Sequence, residues 1–273
     1  MLLSNQTIFK LTTKKLYTKY YNHNTFFDII IKQTDIPIFD VSLEKTAIPF
    51  GCTLYNNPFQ YIENKKYGTD NIIFCHRNNW IKNIKKEDQV LMVSQLSNNY
   101  KITFDPRIFS IFQKDGITNY IKYGIPAPTV KSTKDKNILV LNTNQSKTMS
   151  IVYEQLKNIF PDVALLQKTN MTYNELCNEL TPYKIVVSEG IDINEIVANV
   201  CGCYVISTGD SYEGSIGSFN NQEMDSLISQ LKKQLESYSE IDSASIANLL
   251  SIYNYNQFSL NLNIFFKNLT QKI

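Results

Sequence analysis

YKIVVSEGIDINEIVANVCGCYVIST, residues 183–208, is the stretch whose reading decides the fold. Ile185, Val186 and Val187 form the continuous apolar run of a buried strand. Ser188, Glu189 and Gly190 follow as an acidic turn, and Asn194 to Asn199 has helical spacing. Cys201, Gly202 and Cys203 break that helix, and Tyr204 to Ser207 is apolar again. Two strands joined by a helix in so short a span make a βαβ unit, the crossover of a parallel sheet. Ligands of such sheets bind beyond the carboxyl ends of the strands, where Glu189 to Glu195 fall.

The same rhythm extends outward. Upstream, Asn137 to Leu141 (NILVL) predicts a strand, Asn142 to Lys147 a polar turn, and Thr148 to Phe160 an amphipathic helix. Val163 to Gln167 predicts the next strand. Thr172 to Leu180 predicts a helix with Thr172 as N-cap and Glu175 completing a capping box. Downstream, Glu223 to Tyr238 reads as a long helix, and Ser243 to Lys267 as largely helical with many aromatics. Pro126 to Lys136 is polar and aperiodic, an interdomain linker.

Before the linker, strands are expected at Phe26 to Ile31, Ile36 to Phe39, Asn71 to Cys75, Lys101 to Phe104 and Asn119 to Tyr123. Helices are expected at Phe59 to Tyr67, Glu87 to Leu96 and Arg107 to Lys114, the last opened by Asp105-Pro106. Weak helical character runs from Leu11 to Tyr21. Pro49, Gly51 and Pro58 make Lys45 to Pro58 mostly loop.

Of 273 residues, 43% are hydrophobic and 19% charged, the balance of a core-forming chain. The net charge of +2 supplies no general basic field for nonspecific nucleic-acid binding. The apolar runs are too short to span a bilayer, and the N-terminus lacks a signal-peptide layout. A soluble, cytoplasmic protein without a membrane span is the expectation. Five cysteines with a C-G-C spacing read as buried thiols in a reducing compartment, and no metal is implied. Abundant Asn, Ile, Lys and Tyr suggest an AT-rich genome. A viral source, with the host cytoplasm as compartment, is one branch of that reading.

Strand, helix and a strand ending in Y-G-I-P close the first half. The second half has strand, lysine-bearing turn and helix, then Glu189-Gly190, a helix-borne Glu195, and A-N-V-C-G-C-Y-V-I-S-T. This order resembles glycosyltransferases of the GT-B architecture, most specifically over Tyr183 to Thr208. The resemblance implies an α/β fold of two Rossmann-like domains facing across a cleft, with the C-terminal helix crossing back to the first. Residues 1–126, with 241–273 packed on them, would bind the acceptor, and residues 137–240 the nucleotide-sugar.

By the same resemblance Glu195 takes the donor ribose hydroxyls, while Glu189 with Gly190 faces the donor sugar, as in retaining members. The five residues from Gly190 to Asn194 separate the two carboxylates, a shorter loop than many retaining members have. Lys147, with Asn144, Gln145 and Ser146 nearby, would hold the diphosphate, and Asn194 would join the donor-binding residues, so that neither cofactor nor metal is required. His76, at the end of a strand, would be the general base on the acceptor hydroxyl, and Arg77 a phosphate contact. Taken alone, Glu195 also suits a helix dipole, Lys147 a solvated surface and His76 a strand end.

The implied activity is sugar transfer from a nucleotide-sugar, a UDP-sugar first, to an acceptor hydroxyl. A glycan, a small molecule and a modified phage DNA base all stay open as acceptors, as does the oligomeric state. The alternatives are a GT-B-like binding protein that has lost its donor, and another two-domain α/β protein such as an epimerase or a periplasmic-type binder.

Overall fold

Among the described residues of the computed structural model, ten strands lie parallel to their neighbours in two sheets. The structure describes residues 8–12, 38–42, 52–55, 70–74, 96, 99–103, 109, 118–129, 133–143, 145–168, 171–190, 193–209, 214–216 and 223–270. Contacts divide the chain into two units. One comprises Met1–His23, Phe27–Gly124 and Tyr255–Ile273, and the other Asn24–Phe26 and Ile125–Asn254.

The first unit holds β1 (Ile8–Thr12), β2 (Ile38–Ser42), β3 (Cys52–Tyr55), β4 (Asp70–Phe74), β5 (Tyr100–Thr103) and β6 (Thr118–Tyr120), in the order β2-β1-β3-β4-β5-β6. Two expectations need correction. Ile8–Thr12 is a strand where helical character was expected from Leu11, and Cys52–Tyr55 is a strand inside the expected loop. Both are central strands: β1 pairs with β2 and β3, and β3 with β1 and β4. Ladders on both sides outweigh local propensity in segments this short. β2 begins after Pro37, which has no N–H to give a ladder. The strand expected at Phe26 to Ile31 and the helix at Phe59 to Tyr67 lie outside the described residues. So do the helices at Glu87 to Leu96 and Arg107 to Lys114, except Leu96 and Phe109, which are helical. Lys101 of β5 is fully buried, and its ammonium donates to the carbonyls of Leu96 (3.0 Å) and Asn99 (2.9 Å).

The second unit runs β7 (Lys136–Leu141), α1 (Lys147–Lys157), β8 (Ala164–Leu166), α2 (Tyr173–Leu180), β9 (Tyr183–Ser188), α3 (Ile193–Val200) and β10 (Tyr204–Ser207). Then come α4 (Met224–Glu236) and α5 (Ser243–Ile252). A further helix, α6 (Tyr255–Thr270), belongs to the first unit. Register explains the core. Ile138 stands beside Ile185, Val140 beside Val187, and Val187 beside Ile206. These side chains cluster with Met149, Val152 and Leu156 of α1 and with Leu227 and Leu231 of α4. The alternate residues Leu139, Val186 and Val205 are buried too, on the opposite face of the pleat. Both faces are therefore covered, which is why β7 and β9 read as unbroken apolar runs.

The capping box of α2 forms as its sequence predicts. The Glu175 N–H donates to Thr172 Oγ1 (3.3 Å), and the Thr172 N–H donates to Glu175 Oε2 (2.8 Å). The largely helical stretch expected from Ser243 to Lys267 is two helices. Tyr253 leaves helical geometry and its carbonyl accepts from the Ile125 N–H at 3.0 Å. Residues 241–254 consequently group with the second unit, where Leu249 is buried.

Residues 126–136, expected as an interdomain linker, group with the second unit and are fastened to it where the structure describes them. The Tyr173 hydroxyl donates to the Pro126 carbonyl at 2.5 Å. Lys134 donates to the Cys201 carbonyl at 2.7 Å and to Cys203 Sγ at 3.2 Å, placing a cation at the C-terminal end of α3. Cys203 in turn donates to the Leu180 carbonyl at 3.2 Å, and Cys177, Cys201 and Cys203 are free thiols. Among the described residues no helix is long and apolar enough to cross a membrane.

Candidate functional site

The second sheet has the order β10-β9-β7-β8. From β7 the chain moves outward to β8, then returns past β7 to β9 and continues to β10. Connections thus leave β7 and β9 in opposite directions, and the crevice at their carboxyl ends is the topological switch point where such sheets bind ligands. Buried polar residues gather there: Asn142 and Thr143 after β7, Ser188 at the end of β9, Ser207 at the end of β10, and Asn194 and Glu195 on α3.

The turn after β7 is built around Asn142. Its Oδ1 accepts from the Ser146 N–H at 2.7 Å, and its Nδ2 donates to the Ser146 carbonyl (3.2 Å) and Ser150 Oγ (3.1 Å). Gln145 pays for this tight path with a left-handed φ of 53°, an uncommon geometry for a residue with a side chain. Ser146 is the N-cap of α1, but its side chain makes no capping bond and the first turn holds no acidic residue. Its hydroxyl instead donates to Glu189 Oε1 at 3.1 Å. A carboxylate from another strand end thereby supplies the negative charge that the α1 N-terminus favours.

The β9 and β10 exits lie against each other. Ser188 and Ser207 are register partners, and the Thr208 N–H donates to the Ser188 carbonyl at 2.9 Å. Gly190 has a φ of 113°, and a Cβ on it would lie 3.0 Å from both Gly209 Cα and Ser207 Oγ. A Cβ on Gly209 would lie 2.5 Å from the Glu189 carbonyl oxygen. Backbone meets backbone here, and only glycine fits both positions.

Asn194 Nδ2 donates to Thr143 Oγ1 at 3.2 Å, tying the start of α3 to the β7 turn. Glu195, one residue on, is 0% exposed. Lys147 is exposed at the first position of α1. Asn142 and Thr143 on one side and Ser188, Glu189 and Gly190 on the other wall a crevice of about 20 Å³, floored by Leu141 and Met149. That is room for about one water.

The structure therefore brings Ser146, Glu189 and Gly190 together at one crevice, ties Asn194 to its wall through Thr143 and buries Glu195 on α3. Lys147 is the exposed residue next to Ser146, while His76, Arg77 and Asn144 lie outside the described residues. The sequence did not single out Asn142, Thr143, Ser188 or Ser207. Their signal is a polar residue at the end of an apolar strand run, which identifies the carboxyl edge of the sheet without saying which strands adjoin.

No protein-family model matches the chain, and no curated protein matches it by sequence. Among solved structures, the glycotransferase of kitacinnamycin aligns at a TM-score of 0.51 and 10% identity, over 98% of this chain and 99% of that one. The calicheamicin glycosyltransferase CalG4 aligns at 0.45 and 9% identity, over 98% of each chain. The GtfA/B complex bound to UDP and GlcNAc aligns at 0.36 and 10% identity, over 81% of this chain and 56% of that one. At these identities the likeness is one of fold: an α/β chain of parallel sheets and helices, shared end to end with the glycotransferase of kitacinnamycin.

Proposed function

We propose that this chain is a glycosyltransferase of the GT-B type, moving a sugar from a nucleotide-sugar to an acceptor hydroxyl. The observation that carries the reading is the polar crevice at the β7–β9 switch point, centred on the Ser146–Glu189 hydrogen bond. It occurs on a fold shared with a glycotransferase. The second unit holds the donor, a UDP-sugar first. Its diphosphate lies at the N-terminus of α1, against the hydroxyl of Ser146, the amide of Asn144 and the ammonium of Lys147, and no metal or other cofactor is needed.

A phosphate arriving there meets the Glu189 carboxylate. Two such charges about 4 Å apart repel by about 4 kcal/mol at an effective dielectric of about 20. Glu189 accordingly leaves Ser146 when donor binds and turns to the sugar hydroxyls, its expected place in a retaining enzyme. Glu195 takes the ribose once the start of α3 opens. His76 acts as general base on the acceptor and Arg77 as a second phosphate contact, both on the first unit. A glycan, a small molecule and a modified phage DNA base are the acceptors to try, and the cytoplasm, a host's if the source is viral, is the compartment.

Isothermal titration against UDP-, GDP- and ADP-sugars tests this, followed by assay of sugar release. Binding of one donor, weakened at least tenfold by Ser146→Ala, supports the reading. A panel with no binder sinks it. One observation favours a second reading, a GT-B-like binding protein that has lost donor binding: Glu195 is 0% exposed and the switch-point crevice holds only about 20 Å³. A folded chain that binds no member of the donor panel would select that reading.

A further inference from the structure

A second cavity, of about 320 Å³, lies wholly within the first unit, between the edge of its sheet and α6. Its helical wall is Asn261, Ile264, Phe265 and Asn268, one face at spacings of three, four and seven. A helix face directed at a sheet is ordinarily apolar and buried without voids. On α6, Phe258 and Leu262 are fully buried. The face that lines the cavity is more open: Ile264 is 48% exposed, and amides flank the apolar pair at both ends.

The opposite wall is Tyr100 of β5, then Asn119 and Tyr120 of β6 and Ile121 beyond it. Tyr120 is 40% exposed and held by a tilted ring contact with Phe109, centroids 6.1 Å apart. The volume falls within the range of small-ligand sites, roughly 300–1,000 Å³. No lining residue carries a charge, so an anionic phosphate or carboxylate would find no counter-ion. What the walls offer is amide groups together with aromatic and aliphatic faces; the Asn261 Oδ1 also accepts from Gln257 Nε2 at 2.9 Å, which sets the amide's orientation. Asn261 and Asn268 stand seven residues apart, about 10 Å along the helix, the span of two pyranose rings.

We propose that this cavity binds a neutral saccharide of one or two rings. The apolar C–H faces of the sugar lie on the Tyr120 and Phe265 rings, and its hydroxyls exchange hydrogen bonds with Asn119, Asn261 and Asn268. The site needs no nucleotide and is separate from the switch-point crevice.

The test is saturation-transfer NMR and titration of the full chain with neutral mono- and disaccharides. Glucuronate, glucose 6-phosphate and free nucleosides serve as comparators. Neutral saccharides should bind in the millimolar range. Tyr120→Ala and Asn261→Ala, each checked for an unchanged circular dichroism spectrum, should weaken them at least fivefold, and Ser146→Ala should leave them unchanged. Absence of neutral-saccharide binding at millimolar concentration overturns the proposal. So does tighter binding of glucuronate, of the sugar phosphate or of a nucleoside. Saccharide binding lost in Ser146→Ala but kept in Tyr120→Ala also overturns it, by moving the sugar to the donor crevice. Because no nucleotide is present, failure here leaves the donor reading standing, and failure of the donor reading leaves this site standing.

Discussion

Ser146 and Glu189, 43 residues apart in sequence, share a 3.1 Å hydrogen bond that joins the loop after β7 to the loop after β9. The bond crosses the point where the two halves of the sheet wind away from each other. It makes the crevice one unit: the N-cap of α1 cannot shift without moving the glutamate. A double-mutant cycle of Ser146→Ala and Glu189→Gln, read by urea denaturation, should give a coupling of about 1 kcal/mol. Saturating nucleotide should abolish that coupling. A coupling unaltered by bound nucleotide would mean that Glu189 stays on Ser146 when the donor is present.

Gly190→Ala and Gly209→Ala should each destabilise the protein by about 2 kcal/mol, the usual range for forcing atoms into a packed space. Gly209→Ala should be the worse, because its Cβ would lie 2.5 Å from a backbone oxygen. Thermal melts of the two variants decide this, and wild-type stability in either would show that the exits part easily.

Lys134→Met removes two hydrogen bonds, to the Cys201 carbonyl and to Cys203 Sγ, at a cost of about 1–2 kcal/mol. Burial already raises the Cys203 thiol above its ordinary value, and the Lys134 ammonium opposes that rise. The substitution should push the thiol higher still. The pH dependence of alkylation by a small reagent, mapped to Cys203 by mass spectrometry, should shift to more alkaline values.

Stability should fall with acid, in part through two helix caps. Hydrogen bonds from the Thr172 backbone and side chain, with Lys168 nearby, hold the Glu175 carboxyl below its ordinary value. The Ser245 backbone and side chain do the same for Asp242 at the start of α5. A lowered folded-state value means that the contribution is complete above the unfolded-state value and is lost as pH drops through the folded one. Melting temperature followed from about pH 6 to about pH 3 should decline, in the range where carboxyls titrate. Asp242→Asn and Glu175→Gln should flatten that decline. Thr172→Ala should cost about 1 kcal/mol at neutral pH.

The second unit was the legible one. Its strands are covered on both faces, so NILVL and KIVV announce themselves as apolar runs, and Thr172 with Glu175 announces a helix start. Much of the first unit was harder, because IFKLT and CTLY owe their strand geometry to ladders on both sides. Glu189 and Ser146 could each be placed at a strand end, but strand order is a non-local property. That β9 lies beside β7, which brings the two residues together, follows from the winding of the whole sheet. The C-G-C segment was read as buried thiols, and its engagement with Lys134 depended on a linker path that composition does not encode.

The contact between Gly190 and Gly209 makes loop length a shared trait. The β9 exit can press so close because the β10 exit has no side chain, and the reverse holds as well. The brief interval from Glu189 to Glu195 is then an agreement between two segments about twenty residues apart. In related chains, a longer glutamate loop should appear together with a side chain at the partner position. An engineer lengthening one loop to widen the crevice would have to rewrite the other in the same step.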